Sequence, residues 1–148
     1  MAEFMRIFRK YSVPSNLIQV EILERSVMDR ETLCEITEAL HKEGFTVAMD
    51  DFGSGESSLN MLTTITVDAI KIDMKFIREM RKDDKSLRMI KLIVDIARFL
   101  NVPTVAEGVE DEVQVNILKK MGCDLIQGFY FGRPVPPDEF EKLIEAEN

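Results

Sequence analysis

The segment Val47–Gly55, VAMDDFGSG, runs from an apolar stretch into two adjacent aspartates and then two glycines. A short apolar run bounded by turn-forming residues reads as a buried strand. Two neighbouring carboxylates at its end repel each other unless a cation stands beside them. The glycines permit the positive φ values of a tight loop over such a site.

Working outward, the theme repeats. Strand-length apolar runs occur at Leu17–Leu23 (LIQVEIL), Phe45–Met49 (FTVAM), Ala69–Ile72 (AIKI), Pro103–Ala106 (PTVA) and Asp124–Phe131 (DLIQGFYF). Between them the apolar spacing changes to the helical period. Met28–Lys42 places Leu33, Ile36, Ala39 and Leu40 on one face and stops at Gly44. Leu87–Leu100 carries Ile90, Ile93, Val94, Ala97 and Leu100, and Val113–Met121 ends at Gly122 with Lys119 and Lys120 in the last turn, where cations suit the helix dipole. Pro136 and Pro137 open a last helix through Phe140, Leu143 and Ile144. Alternating strands and helices predict an α/β fold with right-handed βαβ units and a parallel sheet. The 148 residues, 45% hydrophobic and without a linker tract, predict one domain over 1–148.

The formal charge of −8 argues against DNA or RNA as a partner, because broad nucleic-acid binding needs clustered Lys and Arg. A small phosphate-bearing ligand remains compatible if divalent ions stand between its phosphates and the carboxylates. No apolar run approaches the roughly 20 residues of a membrane span, and MAEFMRIFRK carries charges where a signal peptide needs an apolar centre. No membrane partner and a soluble, cytoplasmic location are expected. Cys34 and Cys123 lack metal-site spacing and are expected to be buried free thiols.

Polar residues collect where strands end: Glu21 and Glu24, Asp50 and Asp51, Lys71 and Asp73, Glu107, and Gln127. Any one carboxylate after a strand can simply cap the next helix. Five strands ending this way point to a shared edge, since parallel strands converge at the C-terminal side where such folds hold ligands. Oxygen donors without a sulfur or imidazole cluster suit Mg²⁺ or Mn²⁺. His41 reads as a surface residue of a helix. Lys71 and Asp73, one residue apart, would share a face of their strand, either serving the site or forming a structural ion pair.

The ordered segments EILE, MDDFGSG, AIKID, TVAEGVE and QGFYFGRPVP resemble the later part of an EAL domain, the family of metal-dependent phosphodiesterases that open cyclic di-GMP. A lone DFG also occurs in protein kinases, but a Gly-rich nucleotide loop and an HRD segment are missing. The resemblance implies Glu21, Asp50 and Asp51 as metal ligands, Glu107 as general base with Lys71 near the attacking water, and Glu24 steadying the loop of Gly53, Ser54 and Gly55. It implies supporting places for Asp73, Glu110, Gln127 and Gly128. Arg133 would meet a phosphate or a base edge, while at least two of Phe129, Tyr130 and Phe131 are expected to be core and rim packing. Mg²⁺ or Mn²⁺ would be the cofactor, with Ca²⁺ binding without supporting turnover.

Departures set further expectations. Leu23 stands where the family pattern has threonine, and Glu56 where an aromatic is frequent. The family's opening, with the EAL tripeptide whose glutamate is a metal ligand and an upstream asparagine ligand, is expected to be absent. Barrels of this type take about 250 residues and eight strands. The chain is thus expected to be a truncated EAL domain, a partial (β/α)8 TIM-type barrel with about five parallel βα units, open unless completed by self-association or a complementary chain. Two functions follow: a cyclic di-GMP phosphodiesterase impaired in the isolated chain, or a non-catalytic module that binds nucleotide or protein partners.

Overall fold

The computed structural model describes residues 2–11, 13–23, 29–53 and 62–147. Five strands form one sheet in chain order, each pair of neighbours parallel. They are β1 (Gln19–Leu23), β2 (Thr46–Phe52), β3 (Ala69–Ile72), β4 (Thr104–Ala106) and β5 (Leu125–Ile126). The helices are α1 (Ala2–Tyr11), α2 (Arg30–Lys42), α3 (Met74–Glu79), α4 (Asp84–Leu100), α5 (Glu112–Met121) and α6 (Pro137–Glu147). The α/β class and the open parallel sheet match expectation.

Three strands differ by two or more residues at one end, for local reasons. β1 starts late because Ser15–Leu17 forms a 3₁₀ turn after Pro14. β2 runs past the apolar residues through both aspartates to Phe52, since backbone pairing with β3 continues there. β5 stops after two residues because the chain turns, with the Phe131 amide donating to the Gly128 carbonyl at 3.1 Å.

Aspartates start the helices. Asp29, Asp83 and Asp111 accept from the backbone amides of Thr32, Lys85 and Gln114, each at 2.9 Å, which satisfies donors that a helix start leaves open. The core packs Val47, Met49 and Phe52 of β2 with Ile70 and Ile72 of β3 against Ile90, Ile93, Val94 and Ala97 of α4. Each of the Val, Ile, Met and Phe side chains among them contributes about 1.5–3 kcal/mol by leaving water. Cys34 and Cys123 are free thiols, only partly rather than fully buried; burial pushes the Cys123 thiol up from its ordinary value.

His41 is not a bare surface residue. Its Nε2 lies 2.9 Å from Asp68 Oδ2, the same oxygen that accepts from the Val47 amide at 2.7 Å. The Asp68 amide in turn donates to the Val47 carbonyl at 2.7 Å. One carboxylate thus joins the end of α2 to the start of the β2 core. Asp68→Ala is expected to lower unfolding stability by about 1–3 kcal/mol, measured by urea denaturation. A loss under about 0.5 kcal/mol would mark the tie as no stronger than an exposed ion pair.

Candidate functional site

Register decides which side chains meet. Glu21 pairs with Ala48, Ala48 with Ala69, Lys71 with Val105, and Val105 with Leu125. Paired residues of a parallel sheet face the same side, and side chains two apart share a face. Glu21, Asp50 and Lys71 therefore lie on one face, and continuing the alternation past the ends of β4 and β5 adds Glu107 and Gln127. Each comes from a different strand or the residue just after it.

Lys71 sits at the focus with 8% of its side chain exposed. Its Nζ donates to Glu21 Oε1, lies 2.6 Å from Glu107 Oε1 and 3.3 Å from Asp50 Oδ1. Gln127 Nε2 donates to the same Glu107 oxygen at 2.8 Å. Burial alone would push the Lys71 ammonium down, but the hydrogen bonds to Glu107 and Glu21 and the charges of Glu107 and Asp50 outweigh it, and the group is held above the ordinary lysine value. Three carboxylates against one ammonium leave an excess of negative charge on hard oxygen donors, a set that fits a hard dication. Among the described residues, no three His, Cys, Asp or Glu side chains form a ready metal cage; the carboxylates turn on Lys71 instead.

The paired aspartates sit in a bulge. Met49 pairs with Ile70 and Phe52 with Ile72, so β2 spends one residue more than β3 over the same interval. Asp51 has φ 55°, and its amide donates to Asp50 Oδ1 at 3.0 Å. Left-handed backbone is uncommon outside glycine, though aspartate tolerates it better than most. The extra residue breaks strict alternation, so the core positions of β2 run Val47, Met49, Phe52. Gly53 follows at φ 93°, where a Cβ would come within 3.0 Å of both Ile93 and Phe76.

Other expected site residues have different places. Asp73 lies beyond β3 and caps α3, accepting from the Lys75 amide at 2.8 Å, so the capping reading wins over the shared strand face. Glu110 is exposed, and its amide donates to Gln114 Oε1 at 2.7 Å. Arg133 lies over the Phe129 ring, 5.0 Å from its centroid, and lines the same cleft as Glu107 and Gln127. Phe129, Tyr130 and Phe131 are all exposed in the turn after β5, against the expectation of packing for two of them. Gly128 presses its backbone on Val109, where a Cβ would lie 2.2 Å from the Val109 carbonyl oxygen. Glu24, Ser54 and Gly55, and Glu56 beside them, lie outside the described residues.

Sequence reading missed Gln114. It is buried, its Oε1 accepts from Glu110 and Asp111, and its Nε2 donates to the Ile77 carbonyl at 3.1 Å. The segment after Glu107 is thereby fastened to the helix that follows Lys71. The signal was present, since Asp111-x-x-Gln114 spells a capping box. A cleft of about 800 Å³ adjoins Glu107 and Gln127, walled by Met74, Phe129, Phe131, Phe140 and Leu143.

Residues 1–134 match the family described as EAL domain. The chain belongs to the EAL domain family. It is 40% identical over 127 residues to the bifunctional diguanylate cyclase/cyclic di-GMP phosphodiesterase MucR of Pseudomonas aeruginosa, covering 85% of this chain and 18% of that protein. Among solved structures, the MucR phosphodiesterase in complex with c-di-GMP superposes with a TM-score of 0.88 at 34% identity, over 94% of this chain and 57% of that one. The EAL domain of Mycobacterium smegmatis DcpA gives 0.89 at 32%, over 98% and 66%. The Klebsiella pneumoniae BlrP1 manganese/cy-diGMP complex gives 0.81 at 29%, over 90% and 34%. The chain spans under one fifth of the length of the first curated relatives it matches. Its neighbours are EAL TIM-type barrels.

One expectation about the EAL signature needs correction. The letters do occur, as Glu38-Ala39-Leu40, but in the middle of α2 rather than at a strand end. Glu38 is exposed there and pairs with Lys42 at 3.9 Å, remote in role from the Lys71 cluster.

Two measurements test this EAL geometry. A raised folded-state pKa means that the fold prefers protonated Lys71; its contribution is complete below the ordinary lysine value of 10.5 and is lost as pH climbs past it. Stability of the native chain should therefore fall more steeply above pH 10.5 than that of Lys71→Met, in denaturant titrations at stepped pH. Gly128→Ala should cost about 1–3 kcal/mol through overpacking on Val109, read from the thermal midpoint; an unchanged midpoint would refute the close approach.

Proposed function

We propose that this chain is the cyclic di-GMP phosphodiesterase-type part of an EAL domain. One observation carries the reading: a buried lysine held by carboxylates from three strands, one of which is also gripped by Gln127. Glu21, Asp50 and Asp51 would hold Mg²⁺ or Mn²⁺ on oxygen donors alone. When bound, such ions neutralise phosphoryl charge and make water a stronger nucleophile. Glu107 takes the proton of the attacking water at its carboxylate. Lys71 keeps Glu107 in place and offers its positive charge to the phosphate, while Gln127 fixes the rotation of Glu107 from the far side. Glu24 steadies the loop of Gly53, Ser54 and Gly55 over the aspartates in this reading, Asp73, Glu110 and Gly128 support the site framework, and Arg133 meets a phosphate or base edge.

A second reading is a non-catalytic module for nucleotide or protein binding, favoured by the lysine at the focus and by the absence of a ready metal cage among the described residues.

The test incubates the purified chain with cyclic di-GMP and Mg²⁺ or Mn²⁺ and follows linear pGpG by chromatography, with calorimetry in Ca²⁺ alongside. Weak binding with slow turnover is expected, abolished by Glu107→Ala. Binding without turnover in either metal selects the nucleotide-binding module. Neither binding nor turnover leaves only a role in protein contacts.

A further inference from the structure

Two arginines reach the cleft beside Glu107 from different parts of the sheet. Arg78 belongs to α3, which follows β3, and Arg133 to the segment after β5; both line the cleft together with Glu107 and Glu110. Strand order puts β4, which leads into Glu107, between β3 and β5. The arginines are therefore delivered on either side of the strand that carries the candidate base.

Arg78 stands on a fastened helix. A Cβ on Gly108 would lie 2.9 Å from Met74 Cβ, so the start of α3 is pressed against the residue after Glu107. The Ile77 carbonyl accepts from Gln114 Nε2 at 3.1 Å, and just past α3 Arg81 Nη1 lies 3.1 Å from Asp111 Oδ2. Met74 and Arg78 are four residues apart, which places them on one side of the helix, and both line the cleft. Arg78 is exposed and makes no ion pair or side-chain hydrogen bond among the described residues. Its backbone is fixed while its donors are open. Arg133 lies over the Phe129 ring, an arrangement that engages the cation and keeps its N–H donors for other partners.

Charge in the cleft runs against that of the chain, which carries −8 overall. Glu107 is answered by Lys71 at 2.6 Å, which leaves Arg78 and Arg133 against Glu110. Arg78 and Glu110 also line an adjoining cleft of about 490 Å³, where Arg81 faces Asp111 and Lys82 adds a further cation. An anion approaching along this rim meets net positive charge, although the chain as a whole repels it.

We infer that Arg78 and Arg133 form a metal-independent phosphate clamp, which holds the phosphodiester of a cyclic dinucleotide that is not being cut. The identity of the ligand rests on the phosphodiesterase proposal; the clamp rests on the two arginines. A cyclic dinucleotide carries two phosphodiesters, on opposite sides of its ring. The carboxylates around Lys71 can serve only one of them, and only through dications. The other keeps its charge and needs donors of its own. Guanidinium forks match phosphate oxygens in pairs and bind them more strongly than neutral donors do. The clamp thus selects ligands with a second phosphate and sets the orientation of the ring.

The test uses the isotope-labelled chain in EDTA with cyclic di-GMP as probe, following the arginine Nε–H signals by NMR. The signals lost in Arg78→Gln and in Arg133→Gln should be the ones that move in the native chain. Arg78→Gln should raise the dissociation constant at least about tenfold. Arg78→Lys, which keeps the charge but not the fork, should raise it less, and Lys82→Gln, on the outer rim, by less than about twofold. Circular dichroism checks that each variant is folded; should Arg78→Gln fail to fold, Arg78→Lys serves in its place. No movement of either signal up to about 1 mM probe, equal movement of all arginine signals, or equal affinity in the native chain and Arg78→Gln would each overturn the clamp. Formation of pGpG in Mg²⁺ or Mn²⁺ is scored separately. Movement at Arg78 without turnover keeps the clamp and sinks the phosphodiesterase proposal, whereas turnover with both signals unmoved does the reverse.

Discussion

The rest of the structure depends on the ammonium of Lys71. An unpaired charge buried in a sheet costs several kcal/mol, and here the cost is met by Glu107 and Asp50 at 2.6 and 3.3 Å and by Glu21. Four consecutive strands are thereby held by one side chain at the end where their polar residues collect. The layer beneath is small, with Ala48 and Ala69 on the same face, which leaves room for the lysine stem. The same lysine makes the site legible as a cation-binding place, since three acids around one base leave charge to be balanced.

The two aspartates solve a geometric problem. Adjacent residues of a regular strand point to opposite faces, so a DD pair would send one carboxylate into the packed helix side. The bulge at Asp51 removes that outcome and returns Phe52 to the core. Its backbone conformation has a cost of order 1–3 kcal/mol, tolerated where surrounding pairs leave no alternative. On the next loop, Gln114 and the Val109–Gln127 backbone bond at 3.2 Å hold the residues after Glu107. Rigid support of this kind keeps a carboxylate within hydrogen-bond reach of its partners.

Membership in the EAL family and an open five-stranded sheet belong together. The solved relatives close a barrel with more chain than the 148 residues here. In this part of the fold successive strands each deliver one polar residue to a common end. Among the described residues no helix is long and apolar enough to cross a membrane.

Most of the framework was legible from spacing alone. Apolar runs and capping aspartates mark strands and helix starts because backbone sterics and unsatisfied amides act locally. The pairing of Glu21, Asp50, Lys71 and Glu107 was foreseeable as a common strand end, though not as a single knot on Lys71. Asp73 shows the limit: two residues after Lys71 it reads as a strand neighbour, yet the chain has already turned into α3. The bulge at Asp51, the strut made by Gln114 and the exposure of Phe129 to Phe131 were likewise decided only in three dimensions. Local pattern determines which segments become strands and helices; register, burial and the direction of each carboxylate depend on residues tens of positions away, and those contacts exist only once the sheet has formed.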